Sequence, residues 1–291
     1  MVDEPCRRIL SETLGSSGKL LPKWPSKKGE KLTEPSEKAA ERVIEFMHDN
    51  LGEQLTIDDM ARAALFSKFH FSRIFQRATG LSPGRFLSAL RLQRAKQLLV
   101  STSLSVADVS LRVGYASVGT FSSRFTRSVG LSPTTYRRLG GFTTQVPVED
   151  GQALVNRPVG RVQGRLTCTP ELPGSRIFVG VFPERIPEGR PVQCCILDRP
   201  GEFVLDRVPA GVWHILAHSA AEEHTASPTT GTLVGSHGPV VVRRDGLLEV
   251  EMTLQPMRII DPPVLLALLD VRRSAIERVA AERQPVGVSG G

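Results

Sequence analysis

Two stretches of the 291-residue chain concentrate side chains able to read the edges of base pairs. In the first, Lys68, Phe69, Ser72, Arg73, Gln76 and Arg77 interleave with Phe71, Ile74 and Phe75, which gives a helix one polar and one apolar face. An Arg fork bonds guanine at two points, Gln does the same for adenine, and an apolar ring meets the thymine methyl. Phe69 has a competing place in the core, because three other Phe lie close by at 66, 71 and 75. In the second stretch, Val118, Gly119, Thr120, Ser122, Ser123, Arg124 and Arg127 surround the apolar Phe121 and Phe125. That face lacks long donors near its start. It is expected to discriminate bases less and to depend more on phosphate contacts and DNA shape.

The charge distribution points to the same partner. The chain carries 37 Lys/Arg against 30 Asp/Glu, a formal net charge of +7. Residues 62–140 hold thirteen of the cations and one acid, Asp108, whereas residues 36–61 hold two cations and seven acids. A block of +12 over about eighty residues answers to a polyanion, and double-stranded DNA is the expectation. Arg91, Arg94 and Lys96, just beyond the first stretch, read either as contacts to the DNA backbone or as surface charge.

The elements that must position these faces follow from an internal repeat. LTIDDMARAALFSKFHFSRIFQRATGLSPGRF begins at Leu55 and LSVADVSLRVGYASVGTFSSRFTRSVGLSPTTY at Leu104. The offset is 49 residues at the start and 50 from Phe71/Phe121 onward, so the second copy has one extra residue in its middle. Each copy reads as two helices joined by a tight turn. Thr56 with Asp59, and Ser105 with Asp108, have the spacing of a capping box. Ser67 and Ser117 cap the second helices, with Phe66 and Phe71 forming a hydrophobic staple in copy one. Gly80 and Gly130 stop those helices, and Ser82-Pro83 and Ser132-Pro133 start the next ones. A helix over 84–101, with Phe86, Leu90, Leu98 and Leu99 inward, connects the copies. An amphipathic helix from Ser36, with Val43, Ile44, Met47 and Leu51 on one stripe, precedes them.

These motifs resemble the DNA-binding domain of the AraC/XylS family of bacterial transcription regulators over about 36–140, a third of the chain. The matching runs are ARAALFSKFHFSRIF at 61–75, RLQRAKQLL at 91–99, VGYASVGTF at 113–121 and GLSPTTYRR at 130–138. The resemblance implies two helix-turn-helix motifs that enter successive major-groove segments, and RNA polymerase as a further partner. Two positions depart from it. Leu65 stands where a turn Gly is usual, which implies a looser first turn. Ser123 stands where Arg is common, with Arg124 displaced by one residue toward a phosphate rather than a base. The domain order is also reversed, since the family usually places its DNA-binding part last.

From Val159 the grammar changes to alternation punctuated by Gly and Pro. Seven strands are predicted, at 159–167, 176–182, 190–197, 202–208, 212–220, 238–244 and 247–254. The fold class is therefore multidomain α plus β. An all-α double helix-turn-helix domain at 36–140 is followed by an antiparallel β-sandwich at 158–256, similar to prealbumin-like or immunoglobulin-like modules. A flexible arm at 1–35, a linker at 141–157 and a tail at 257–291 with a helix near 263–283 complete the division. Two roles stay open for the sandwich, sensing a small-molecule effector or pairing two chains into a homodimer. Phe178, Phe203 and Trp213 are its candidate pocket walls, and filling the sandwich core is the alternative for all three.

Catalysis is not expected. Ser236 in Gly-Ser-His-Gly has no placed base, and the sequence supports a hydrolase least. His214, His218, His224 and His237 are irregularly spaced, so neither a metal nor a cofactor is predicted. Cys6, Cys168, Cys194 and Cys195 lack a C-x-x-C pair, and no eighteen-residue apolar run exists. A cytoplasmic protein without a membrane segment is the expectation. A small-molecule sensor or interaction protein, with DNA binding secondary, is the alternative function.

Overall fold

The computed structural model describes residues 34–141, 158–168, 177–219 and 232–266. Of the arm expected at 1–35, the linker at 141–157 and the final helix at 263–283, residues 1–33, 142–157 and 267–283 lie outside the described residues, and residues 34–35 belong to a helix rather than to the arm. The start of that last helix, 263–266, is not helical. The described residues fall in one compact unit that contains both an α half and a β half.

Seven helices form the α half: α1 Glu34–Asp49, α2 Ile57–Ala63, α3 Lys68–Thr79, α4 Pro83–Ser101, α5 Val106–Arg112, α6 Val118–Val129 and α7 Pro133–Arg138. The α1 stripe of Ala39, Ala40, Val43, Ile44 and Met47 is buried, as its period requires. Both capping boxes form. Thr56 Oγ1 accepts from the Asp59 N–H at 3.2 Å, and Ser105 Oγ accepts from the Asp108 N–H at 3.1 Å. Each aspartate accepts in return from the cap N–H, at 2.9 and 3.2 Å. Hydrogen bonds from Thr56 and Ser105 hold these two carboxyls below the usual carboxylate range. Gly80 and Gly130 close α3 and α6 at φ +80° and +89°, where a side chain is strained. The serines that start the next helices differ. Ser132 Oγ accepts from Thr135 N–H at 3.2 Å, whereas Ser67 and Ser82 hold cap geometry with no side-chain hydrogen bond.

Aromatic packing repeats with the sequence. Phe71–Phe75–Phe86 stack at 5.5 and 5.4 Å, and Phe121–Phe125–Tyr136 at 5.6 and 5.4 Å. All six are buried, which locks α3 to α4 and α6 to α7. The ring contacts just before the second helices differ between the copies. Phe66 meets His70 at 4.9 Å, and it is Tyr115 in copy two that packs on Phe121, at 5.4 Å. The extra residue of copy two, Ala116, sits between Tyr115 and the cap Ser117.

The β half contains β1 Val159–Cys168, β2 Ile177–Phe182, β3 Gln193–Leu197, β4 Gly201–Pro209, β5 Gly211–Ser219, β6 Leu233–Val242 and β7 Leu247–Pro256. They form one sheet in the order β3-β2-β5-β6-β7-β1-β4. Pairing of β6 with β7 is confined to two residue pairs, Leu233 with Pro256 and Val234 with Gln255. The sheet therefore folds there and encloses one core, which includes Val162, Leu166, Val179, Phe203, Ile215 and Leu254. A fully antiparallel arrangement is not what forms, because β1 runs parallel to β7 over eight residue pairs. The sixth strand also begins at Leu233 rather than near 238. Gly235-Ser236-His237-Gly238 carries no alternation, and its pairing with β5 alone makes it a strand.

Strand β2 is buried at all six positions. Ile177, Val179 and Val181 face the enclosed core, while Phe178 and Phe182 join Leu216 and Leu266 on the opposite face. That second face is covered where the β half meets the α half. The Arg85 fork of α4 places Nη1 2.8 Å from the Glu184 carboxylate and Nη2 2.5 Å from Glu188. Gly189 N–H donates to Ser128 C=O of α6 at 2.7 Å, and Arg258 pairs with Glu37 of α1 at 3.2 Å.

Candidate nucleic-acid interface

Each turn between the paired helices is closed by two backbone bonds. Leu65 N–H donates to Arg62 C=O and Phe66 N–H to Ala61 C=O, both at 3.0 Å. Forty-nine residues on, Gly114 donates to Leu111 and Tyr115 to Ser110, again at 3.0 Å. This is a Schellman ending, which needs a left-handed residue at its penultimate position. Gly114 supplies it at φ +82° and Leu65 at φ +60°. The first turn is therefore as tight as the second, contrary to the looser turn that Leu65 implied.

The turns hold α3 and α6 with their apolar faces buried and the candidate residues outward. On α3, Lys68, Phe69, Arg73, Gln76 and Arg77 are exposed, Phe69 to 84%. That exposure removes Phe69 from the core. Ser72 is half-buried, and its hydroxyl donates back to Lys68 C=O at 2.9 Å. Lys68 Nζ pairs with Asp58 at 3.1 Å. On α6, Val118, Gly119, Thr120, Ser123, Arg124 and Arg127 are exposed and Ser122 is half-buried. Arg124 leans toward the connector and donates to Ser88 Oγ at 3.3 Å. Arg73, Arg77 and Arg127 form no ion pair among the described residues, so their charge faces outward uncompensated.

Several cations of the basic block point inward instead. Arg91 Nε donates to Leu51 C=O at 3.0 Å and braces the α1–α2 loop. Partial burial of its guanidinium lowers its pKa. Arg137 Nε donates to Leu99 C=O at 2.9 Å and ties α7 to the end of α4. Lys96 Nζ donates to Val264 and Leu266 C=O at 3.0 and 3.2 Å, and burial of the ammonium pushes its pKa down to about 8. Of the three connector cations, only Arg94 is exposed, bonded to Gln97 at 3.1 Å. Sequence reasoning missed these bracing roles, because a carbonyl acceptor leaves no charge signature.

Phe178, Phe203 and Trp213 do not line one pocket. Phe203 is in the enclosed core and Trp213 packs at its margin with Nε1 donating to Pro209 C=O at 2.7 Å, whereas Phe178 is on the opposite face. Among the described residues no three His, Cys, Asp or Glu gather as a metal site, and no helix is long and apolar enough to cross a membrane.

Two helix-turn-helix units mounted on one connector helix define the α half as a double helix-turn-helix domain. Residues 60–139 match the family described as helix-turn-helix domain. The lactose operon transcription activator of Staphylococcus xylosus is 31% identical over 97 residues, covering 33% of this chain and 35% of that protein. The transcriptional activator AarP of Providencia stuartii is 29% identical over 115 residues, 40% of this chain and 85% of that one. An AraC-type regulator structure from Chromobacterium violaceum aligns at TM-score 0.35 and 30% identity, over 36% of this chain and 94% of that one. The segment 60–139 is a helix-turn-helix domain of the AraC/XylS type. The chain spans about a third of the length of the Staphylococcus relative, and the likeness is confined to the α half.

Proposed function

We propose that the protein is a sequence-specific DNA-binding transcription regulator, with α3 and α6 reading adjacent major-groove segments. The observation that carries this reading is the outward pair of faces on α3 and α6, each fixed by a tight turn within a +12 segment. In the reading, Arg73 and Gln76 bond base edges and Phe69 meets a thymine methyl. Lys68, Ser72, Arg77, Arg124 and Arg127 hold phosphates. Val118, Gly119, Thr120, Ser122 and Ser123 lie against the groove with less base preference. Names of the relatives support it, since both are called transcription activators. RNA polymerase and a second copy of the chain are partners that the resemblance adds.

Selection of bound sites from random DNA, followed by titration at several salt concentrations, tests the reading. Affinity should fall steeply with salt, and Arg73→Ala should cost about 1–3 kcal/mol on the selected site and far less on unrelated DNA. A flat salt dependence refutes DNA binding, and equal loss on all sequences moves Arg73 to a phosphate.

The β half fits a two-layered, prealbumin-like module that relays an effector state or pairs chains. Its docking on α1, α4 and α6 favours the relay, because a change in the β half then has a direct path to the second reading helix.

A further inference from the structure

A cavity of about 310 Å³ opens on the outer face of the sheet, beside the junction of the two halves. Three strands make its floor. Phe178 of β2 is in register with His218 of β5, and His218 with Val234 of β6. Leu216, two residues before His218, adds a fourth floor position. One wall is Arg185 with the segment that carries Arg258 and Val264, and the other is β7 at Glu251. The volume is at the lower end of small-molecule sites. Phe178, Leu216 and Val234 make the floor apolar around the imidazole, while Ser236, Thr253 and Gln255 add polar lining and Glu251 and Asp261 add acids on the walls. Burial drives the His218 pKa down to about 4, so it is neutral and adds no charge to that floor.

The cations of the wall differ in one respect. Arg258 is neutralised by Asp261 at 3.1 Å and Glu37 at 3.2 Å. Arg185 is half-buried and has no ion pair or hydrogen bond among the described residues. A partly desolvated guanidinium at an apolar cavity favours an anion, and its planar fork matches a carboxylate at two points. We propose that this cavity binds a small organic carboxylate, with Arg185 bonding the carboxylate and Phe178, Leu216 and Val234 packing on its apolar body.

Occupation has a route to the first reading helix. A Cβ placed on Gly80, the cap of α3, would lie 2.6 Å from Arg185 Cδ, 3.2 Å from Nη1 and 3.4 Å from Nε, so the end of the Arg185 side chain, guanidinium included, rests directly on that cap. Val264, on the same wall, is tied to α4 through Lys96 Nζ at 3.0 Å. Binding itself does not depend on the DNA reading, whereas this relay rests on it.

The test is isothermal titration of the full chain with phenylacetate and hexanoate, against phenethylamine and hexylamine as charge-reversed controls. At least one carboxylate should bind below about 10 mM, with its amine at least about tenfold weaker. Arg185→Gln should weaken carboxylate binding about tenfold or more while the circular dichroism spectrum stays unchanged. Leu216→Trp, which fills the floor, should abolish it. Equal binding of acid and amine, full binding by Arg185→Gln, or no carboxylate bound at about 10 mM overturns the site. Saturating phenylacetate should change affinity for a selected DNA site at least about threefold. Binding of the acid with unchanged DNA affinity overturns the relay. Binding of the acid by a chain that fails to bind any DNA refutes the regulator reading and leaves the site intact.

Discussion

Replacing Leu65 by Gly should stabilise the protein, although it removes a large apolar side chain. Leu65 has φ +60° and is 79% exposed, so its side chain gains little from burial while its backbone occupies the left-handed region. That region costs an L-residue about 1–2 kcal/mol. Glycine removes this cost but adds freedom to the unfolded chain, worth about 0.4–1 kcal/mol against the variant. The small buried part of Leu65 subtracts a few tenths more. The net expectation is about 0.5 kcal/mol of added stability, read as a raised denaturant midpoint with unchanged slope. Thermal midpoints should rise by about 1–2 °C for a unit of this size. Leu65→Ala separates backbone from side chain, because it keeps the strain and should gain nothing. The converse change, Gly114→Ala, should cost about 2 kcal/mol or more. It meets both a φ of +82° and the Leu51 carbonyl oxygen 2.5 Å from the new Cβ. A Leu65→Gly variant no more stable than wild type, or one matched by Leu65→Ala, would refute the strain argument.

Two further outcomes follow from the junction and the cavity floor. The His218 pKa is lowered from 6.5 to about 4, by burial first and then by the charge of Lys96, so the unfolded chain binds a proton that the folded one refuses. Its contribution is present above pH 6.5 and is lost as pH falls through about 4, a decline of roughly 3 kcal/mol that denaturant titration at stepped pH would detect. His218→Gln should flatten that decline, and an unaltered slope would assign it to other groups. Arg85→Ala removes the fork shared by Glu184 and Glu188 and should cost about 1–2 kcal/mol, given that all three side chains retain some solvent contact. Limited proteolysis should then cleave between the α and β halves sooner, and an unchanged digestion pattern would show that the apolar contacts suffice.

What was legible in the sequence was local. Thr56 with Asp59 and Ser105 with Asp108 specify caps within four residues, and Gly80 and Gly130 specify stops within one, so those elements form where the pattern put them. Alternation placed strands such as β4 and β7 for the same reason, but not the first half of β6, which has none. The left-handed turn at Leu65 was half legible. Alignment of the two copies puts it on Gly114, and the hydrogen bonds of that turn outweigh the side-chain penalty. The parallel pairing of β1 with β7 and the place of Phe178 outside the enclosed core were not legible. Both depend on partners about forty to ninety residues away, and a strand's own period gives two faces without saying which is covered.

The charge block shows how an average can conceal its own division. Thirteen cations between 62 and 140 suggested one broad surface for a polyanion. Arg91, Lys96 and Arg137 are instead spent on backbone carbonyls inside the structure, and Arg85 on acids of the β half. Among the described residues this leaves Arg73, Arg77, Arg124 and Arg127 of α3 and α6 without an ion pair, Arg124 bonding Ser88 Oγ instead. The inward cations bind the connector and α7 to segments far away in sequence. Four of the thirteen cations in this block therefore brace the structure rather than face outward. Loss of DNA affinity on mutating one is informative only when stability is measured beside it.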